Sequence, residues 1–461
     1  MARSQTTPKT VRLDVLPCVH PNAAGLDIGS SEIIAAVPPD RDQQPVRAFG
    51  TLTPDLHALV AWLVACGIDT VVLEATGVYW VPIYELLEQQ GITPYLVNAR
   101  HVKTVPGRKS DWNDAQWLQK LHMLGLLHGS FRPDAEICIL RTLVRHRAEL
   151  IQHRAPHILH MQKALTQMNI HLHLVVRDMM GATGQAIVRA IVAGERDPAM
   201  LVEHRRPGCK ATREQMVKAL TGNWQTAYLF ILQQALELYD DYTAKLTACD
   251  QEIERVVTAM EAREGSDAAW ADLPPAKKDS KSKNQPTFNA RAQLARISGV
   301  DLVAVTGLAA ATVQTILAEV GTDMTRFPTV KHFCSWLGLA PRNDISGGKV
   351  LRSRTLKVQN RAAQAFRAAA QSVARSDSAF GAYYRAMRAR RGPQQATVAT
   401  AHKIARVVYH LLKTGEPFQA QSTTEYESQR GERELKRLQR RAEKLGYIVV
   451  PATPEPGATA A

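Results

Sequence analysis

Four carboxylates and one serine in this chain have the types and surroundings that phosphate chemistry needs. Asp27 lies inside GLDIGSS, a short strand-like run where an acidic residue is costly unless it faces a site. Glu74 closes the β-branched run TVVLE. Asp111 and Asp114, in KSDWNDA, are three residues apart, which is one face of a helix if a helix begins there. Four oxygen donors with no His or Cys among them suit Mg²⁺ or Mn²⁺ better than zinc. Two such ions about 3.5–4 Å apart stabilise both the attacking and the leaving oxygen of a phosphodiester under cleavage. Taken singly, Asp27 reads equally well as a turn residue and Asp111 as a helix cap. Taken together, the four read as a metal site.

The serine is Ser346, in WLGLAPRNDISGGKVLRSR. Glycines beside a small hydroxyl let a bulky phosphate approach closely. Arg342, Lys349, Arg352 and Arg354 supply cations that can hold phosphate and stabilise a pentacovalent phosphorus. An SGGK turn alone is weak evidence, since loops use these residues routinely. Ser335 competes, but the WLGL beside it reads as buried helix. Charge carries the broader point: from Lys331 to Lys413 there are sixteen Lys and Arg against two acidic residues, Asp344 and Asp377. So lopsided and arginine-rich a segment suits a phosphate backbone better than an ordinary solvated face.

The elements that must position these residues are legible in outline. Residues 1–21 form a polar tail. GLDIG, EIIAAV and PVRAFGTL read as a three-strand meander. The helix-like DLHALVAWLVACG, the buried strand TVVLE, the helix WVPIYELLEQQG, the strand TPYLVN and a helix from about Asp111 follow. Three strands and then β-α-β-α describe an α/β RNase H-like domain over residues 22–131.

Residues 132–263 read as a helical region. Its first part is basic (Arg141, Arg145, Arg147, Arg154) and rich in histidine (His146, His153, His157, His160), with a break or kink expected at Pro156. No carboxylates accompany these histidines in a ligand pattern, so a solvated or nucleic-acid-facing surface is expected. Further on, Leu232, Ala235, Tyr239, Tyr242, Leu246, Cys249, Ile253, Val256 and Met260 alternate spacings of three and four, a heptad seam. A coiled-coil arm for self-association is favoured over a long helix packed on its own domain.

A Pro/Lys/Ser-rich linker spans 264–289, and a mainly α-helical second domain spans 290–413. The second domain opens on ISGVDLVAVTGLAAATVQTILAEVG, whose glycine turns between short helical runs suit a helix-hairpin-helix that grips DNA backbone through main-chain N–H groups. Residues 414–461 read as a peripheral helix and tail.

Bulk properties agree. The formal charge of +14 over 461 residues points to a polyanionic partner. The six cysteines show neither CxxC pairs nor zinc spacing, and reduced thiols are expected. No apolar run reaches membrane-spanning length, so a cytoplasmic, nucleoid-associated protein is expected.

The succession GLDIGSSEI, VVLEATGVYW, YLVNARHVKTVPGRKSDWNDA and WLGLAPRNDISGGK resembles the DEDD-type transposases of the insertion-sequence 110 family, over about residues 22–175 and 290–412. The resemblance implies a RuvC-like metal site at Asp27, Glu74, Asp111 and Asp114, and a DNA-attacking nucleophile at Ser346. It further implies a bridge RNA that pairs with donor and target DNA, a coiled coil between the domains, and dimers that synapse as a tetramer. Besides a non-catalytic nucleic-acid-binding protein, two other readings compete. One is a RuvC-like junction-resolving nuclease that uses water and no serine. The other is an actin-like ATPase, since D-x-G-S-S also resembles the phosphate loop of that fold, although no second copy of the loop is found.

Overall fold

The computed structural model describes residues 16–75, 77–97, 111–127, 129–263, 270, 273–275, 283–356, 358 and 360–450, with Asp111, Trp112 and Asn113 described by their backbone alone. The chain divides into two compact units, Met1–Arg132 and Pro133–Ala461.

The first unit is built on alternation. In β1 (Ala23–Ile28), Ala24, Leu26 and Ile28 point to one face, as do Ile33 and Ala35 of β2 (Glu32–Ala36) and Val71 and Leu73 of β4 (Thr70–Glu74). That face is covered by Leu56, Leu59 and Leu63 of α1 (Thr53–Ala65) and by Ile83 and Leu87 of α2 (Trp80–Gln89). The opposite parity, with Ile34, Val72 and Val97, is covered by Ala115, Leu118 and Leu121 of α3 (Asp111–Met123). Burial on both faces explains why β1 and β4 read as continuous apolar runs. With β3 (Val46–Gly50) and β5 (Thr93–Val97), the strand order is β3-β2-β1-β4-β5. β2 is antiparallel to β1 and β3, while β4 runs parallel to both β1 and β5. This is the mixed α/β, RNase H-like sheet expected from the sequence. A duplicated actin-like core would need a second such sheet, and none occurs among the described residues.

The second unit opens on α4 (Ala135–Gln167), which continues as one helix of 33 residues through Pro156, so the expected break does not occur there. The ring removes one hydrogen bond, but packing along the rest of the helix holds it together. Four short helices, α5 (Leu172–Val175), α6 (Ala182–Val192), α7 (Pro198–Val202) and α8 (Arg213–Leu220), form a satellite core with Met161, Met216 and Leu232. The chain then returns along α9 (Thr226–Ala259), antiparallel to α4: Cys249 lies beside Leu143, and Thr243 beside Arg154.

The heptad seam is therefore occupied within the chain. Leu246, Cys249 and Ile253 are buried, and Tyr242 stacks against His153 and His157 of α4. The expected intermolecular arm is corrected to a helix packed on its own unit. The arginines of α4 are likewise not a nucleic-acid face. Arg147, 7% exposed, pairs with Asp250, 1% exposed, at 2.5 Å. Arg145 grips both carboxylate oxygens of Glu319 at 2.8 Å. Arg141 caps the carbonyls of Ala318 and Glu319, and Arg154 donates to Asn284. Much of the expected linker falls outside the described residues, but its end is tied down, for Thr287 donates its N–H to Asp250.

The remaining helices are α10 (Ala290–Ser298), α11 (Ala310–Val320), α12 (Val330–Trp336), α13 (Arg361–Ser372), α14 (Ala379–Arg391), α15 (Pro393–Thr414) and α16 (Thr423–Glu443). α10 and α11 flank the expected hairpin, with left-handed Gly299 ending the first and Gly307 preceding the second. Phe327, Phe333, Phe366 and Tyr409 interlock at the centre, and the Tyr409 hydroxyl donates to the Phe327 carbonyl at 2.9 Å.

Removing one member of the buried Arg147–Asp250 pair strands the other charge. Arg147→Met is expected to cost about 3–5 kcal/mol, and Arg147→Met with Asp250→Leu to recover most of it, both read as urea-midpoint shifts.

Candidate active site and nucleic-acid interface

The seating of α3 on the sheet places the carboxylates. Gly25 has no side chain because it cannot have one: a Cβ there would lie 2.4 Å from the Ala115 carbonyl oxygen and 2.5 Å from the Gln119 nitrogen. One residue-pair further back along the strand, the Gln119 side-chain amide donates to the Ala23 carbonyl at 3.2 Å. At the far end, His122 Nε2 meets Thr70 Oγ1 at 2.9 Å, where β4 begins. These contacts run α3 antiparallel to β1 and β4, so its first turn lies toward the C-terminal ends of those strands.

Asp27 and Glu74 stand at those ends. Leu26 pairs with Leu73 in parallel register, so the next residues along the two strands are Asp27 and Glu74. Both share the parity of Gly25 and Val72, the face that α3 covers. From Gly25 to Asp27 the strand advances about 6.6 Å. From Ala115 back to Asp111 the helix retreats about 6 Å. The start of α3 is thereby brought level with Asp27. Asp114 precedes Ala115 and shares the packed face by its spacing to Leu118 and His122. Asp111 is the first residue of the helix, and its side chain lies outside the described residues.

The donor set is wholly carboxylate, which suits a hard divalent cation. Among the described residues no three His, Cys, Asp or Glu form a ready cation cage. The register unites Asp27 with Glu74, and the helix direction brings the Asp111–Asp114 turn to their level.

His122 shows how tightly the far end of α3 is anchored. It is 1% exposed, stacked between His20 and Tyr95, and its pKa is pulled from 6.5 down to about 4, by burial first and then by the neighbouring His20.

Ser346 is positioned quite differently. β6 (Pro341–Ser346) and β7 (Lys349–Thr355) form a hairpin in an otherwise helical unit. Its two turn residues, Gly347 and Gly348, both have positive φ (55° and 75°), as the mirror-image two-residue turn requires. The glycines therefore shape the turn as well as clearing space. Ser346 pairs with Lys349 at the tip, Asp344 with Arg352, and Arg342 with Arg354, with a bulge between Asp344 and Ile345.

Every residue of β6, and all of β7 but its last, is exposed. Among the described residues none of Arg342, Lys349, Arg352 and Arg354 is ion-paired, and Arg342 and Arg354 line a cleft of about 450 Å³ at the hairpin base. The arm therefore presents a hydroxyl at its tip and unneutralised guanidinium groups behind it. Ser335, expected to be buried, is exposed on α12, while Leu337 and Leu339 beside it are buried.

Sequence reasoning missed the hairpin and the role of Gly25. The first had a signal, two glycines between short runs that alternate in character. The second had none, because the helix that demands it lies ninety residues away (Gly25 to Ala115).

An RNase H-like sheet with carboxylates at its strand ends, followed by a basic helical unit, suits an enzyme acting on DNA, and two family models place the chain among the transposases. Residues 24–170 match the DEDD-type IS110 transposase family model, and residues 287–385 match the model described as the transposase IS116/IS110/IS902 family. The chain belongs to the IS110 family of transposases. No curated protein matches it at a significant level.

Two outcomes follow from the seating of α3. Gly25→Ala forces the helix off the strand and is expected to lower stability by about 1–3 kcal/mol, read as a fall in thermal midpoint. The depressed His122 pKa means that the unfolded chain binds a proton below about 6.5 while the folded one resists until about 4. Stability should thus fall as pH drops through that window, and His122→Gln should flatten the slope of urea midpoint against pH.

Proposed function

We propose that this transposase is a site-specific DNA recombinase that joins strands through a covalent phosphoserine. The observation that carries the reading is the antiparallel seating of α3, which lays the turn holding Asp111 and Asp114 over the strand ends holding Asp27 and Glu74. These four residues would hold Mg²⁺ or Mn²⁺, which when bound supplies Lewis-acid charge against the phosphate oxygens.

Ser346, from this or a second copy of the chain, attacks the scissile phosphorus. Its Oγ–phosphorus bond forms as the bond to the departing nucleoside oxygen breaks, and that oxygen takes up the proton the serine loses. The phosphoester energy is kept in the serine linkage, so rejoining needs no ATP. Arg342, Lys349, Arg352 and Arg354 hold the flanking phosphates.

A bridge RNA that selects donor and target DNA, and assembly into dimers and tetramers, belong to this reading through family membership alone. The α9 seam lends no support to self-association, since α4 occupies it.

The test combines the chain, RNA transcribed from its flanking DNA, and donor and target duplexes with Mg²⁺. The expected product is a protein–DNA adduct that survives denaturation, is lost in Ser346→Ala and in Asp114→Ala, and needs the RNA. Cleavage without any adduct, unchanged in Ser346→Ala, would sink the serine mechanism and favour the water-using nuclease. An adduct formed equally well without RNA would remove the guide.

A further inference from the structure

A second cationic surface lies on α15. Lys403, Arg406, His410 and Lys413 follow one another at spacings of three, four and three, which keeps them on one face of the helix. The opposite face, with Ile404, Ala405, Val408, Leu411 and Leu412, is buried. The row borders an open groove of about 640 Å³ whose other wall is Pro328, Thr329 and Val330. No residue of the β6–β7 hairpin lines it.

The lysines of this row are met by rings rather than by carboxylates: Lys403 lies over Tyr383 and Tyr426, and Lys413 over Tyr409. Arg141, Arg145 and Arg147 each answer a carboxylate or a carbonyl, but among the described residues the ion pair on this row is His410 with Glu416, 3.2 Å apart. Lys403 sits between the rings of Tyr383 and Tyr426, 4.7 and 4.5 Å from their centroids. Its pKa is drawn down by burial and by the neighbouring cations Arg433 and Arg406. His402 is drawn down in the same way, by burial and Arg406. Among the described residues the carboxylate paired with this row is Glu416, which leaves Lys403, Arg406 and Lys413 without an ion pair.

We propose that this groove grips the phosphate backbone of duplex DNA, as a second contact separate from the serine hairpin. The inference rests on the DNA-recombinase reading for the identity of the polyanion. The row is about 15 Å long, at 1.5 Å per residue. Phosphates of one strand advance about 3.4 Å along the duplex per nucleotide, so the row can follow roughly four of them. Single-stranded nucleic acid is usually held by stacking bases on exposed rings. Here Tyr409 is buried, and Tyr383 and Tyr426 are already covered by Lys403. Backbone contact to a duplex, without base readout, is what remains.

The experiment measures binding of the full chain to a labelled duplex of arbitrary sequence across a salt series. Each phosphate contact contributes about 0.9 to the slope of log K against log salt. Arg406→Gln with Lys413→Gln should make the slope shallower by about 2 on any duplex sequence, while Arg406→Lys with Lys413→Arg should keep it. Both residues are exposed, so circular dichroism and the thermal midpoint should stay at wild-type values. A glutamine variant with the wild-type slope overturns the proposal. So does a change seen with structured RNA but not with DNA. If the wild-type chain shows no salt-dependent binding to DNA, the recombinase reading fails first; if Ser346→Ala keeps its adduct while the glutamine variant loses slope, the groove stands without the serine.

Discussion

The close approach of α3 to β1 at Gly25 is the constraint from which the first unit follows. A helix backbone sits where a side chain would otherwise be, so the helix can neither slide along the strand nor roll without losing contact with it. Its direction is fixed by Gln119 on Ala23 at one level and His122 on Thr70 at the next. Once that direction is set, the acidic turn at its start has one destination, the ends of β1 and β4. Carboxylates there repel one another unless a cation stands among them. The rigid backbone contact below is what can hold them side by side against that repulsion.

In the second unit, buried ion pairs set the register of helices that an apolar core holds together. Glu319 at the end of α11 is held by Arg145, with Arg141 on its backbone, and Asp250 of α9 is held by Arg147. Each links segments more than a hundred residues apart in sequence. Such pairs contribute little net stability, because desolvation opposes the Coulomb gain, but they penalise every alternative register of the helices that would leave a charge buried alone.

These pairs also show where sequence reading fails. Strand order and helix positions were legible in the first unit because each element carries its own period, and tertiary contacts agreed with it. Asp27 and Glu74 stood out because a carboxylate in or at the end of an apolar strand is costly, and Asp114 because it follows Asp111 at helical spacing. The basic character of α4 misled, since an arginine facing a phosphate and an arginine facing Asp250 look alike until the partner is located. The seam of α9 misled for the same reason: a heptad pattern reports that a helix will be covered, and is silent on whether the cover comes from its own chain. In both cases the missing information is the identity of a distant neighbour.

The β6–β7 hairpin has a consequence of an evolutionary kind. Because its side chains face solvent, almost none of its sequence is constrained by packing, and a substitution there has little route by which to harm the fold. The two glycines of the turn are bound by their positive φ, and the remaining positions are open to drift. Selection on this arm therefore acts on chemistry alone. In a transposase, such an arm can change its sequence without unsettling the fold that carries it.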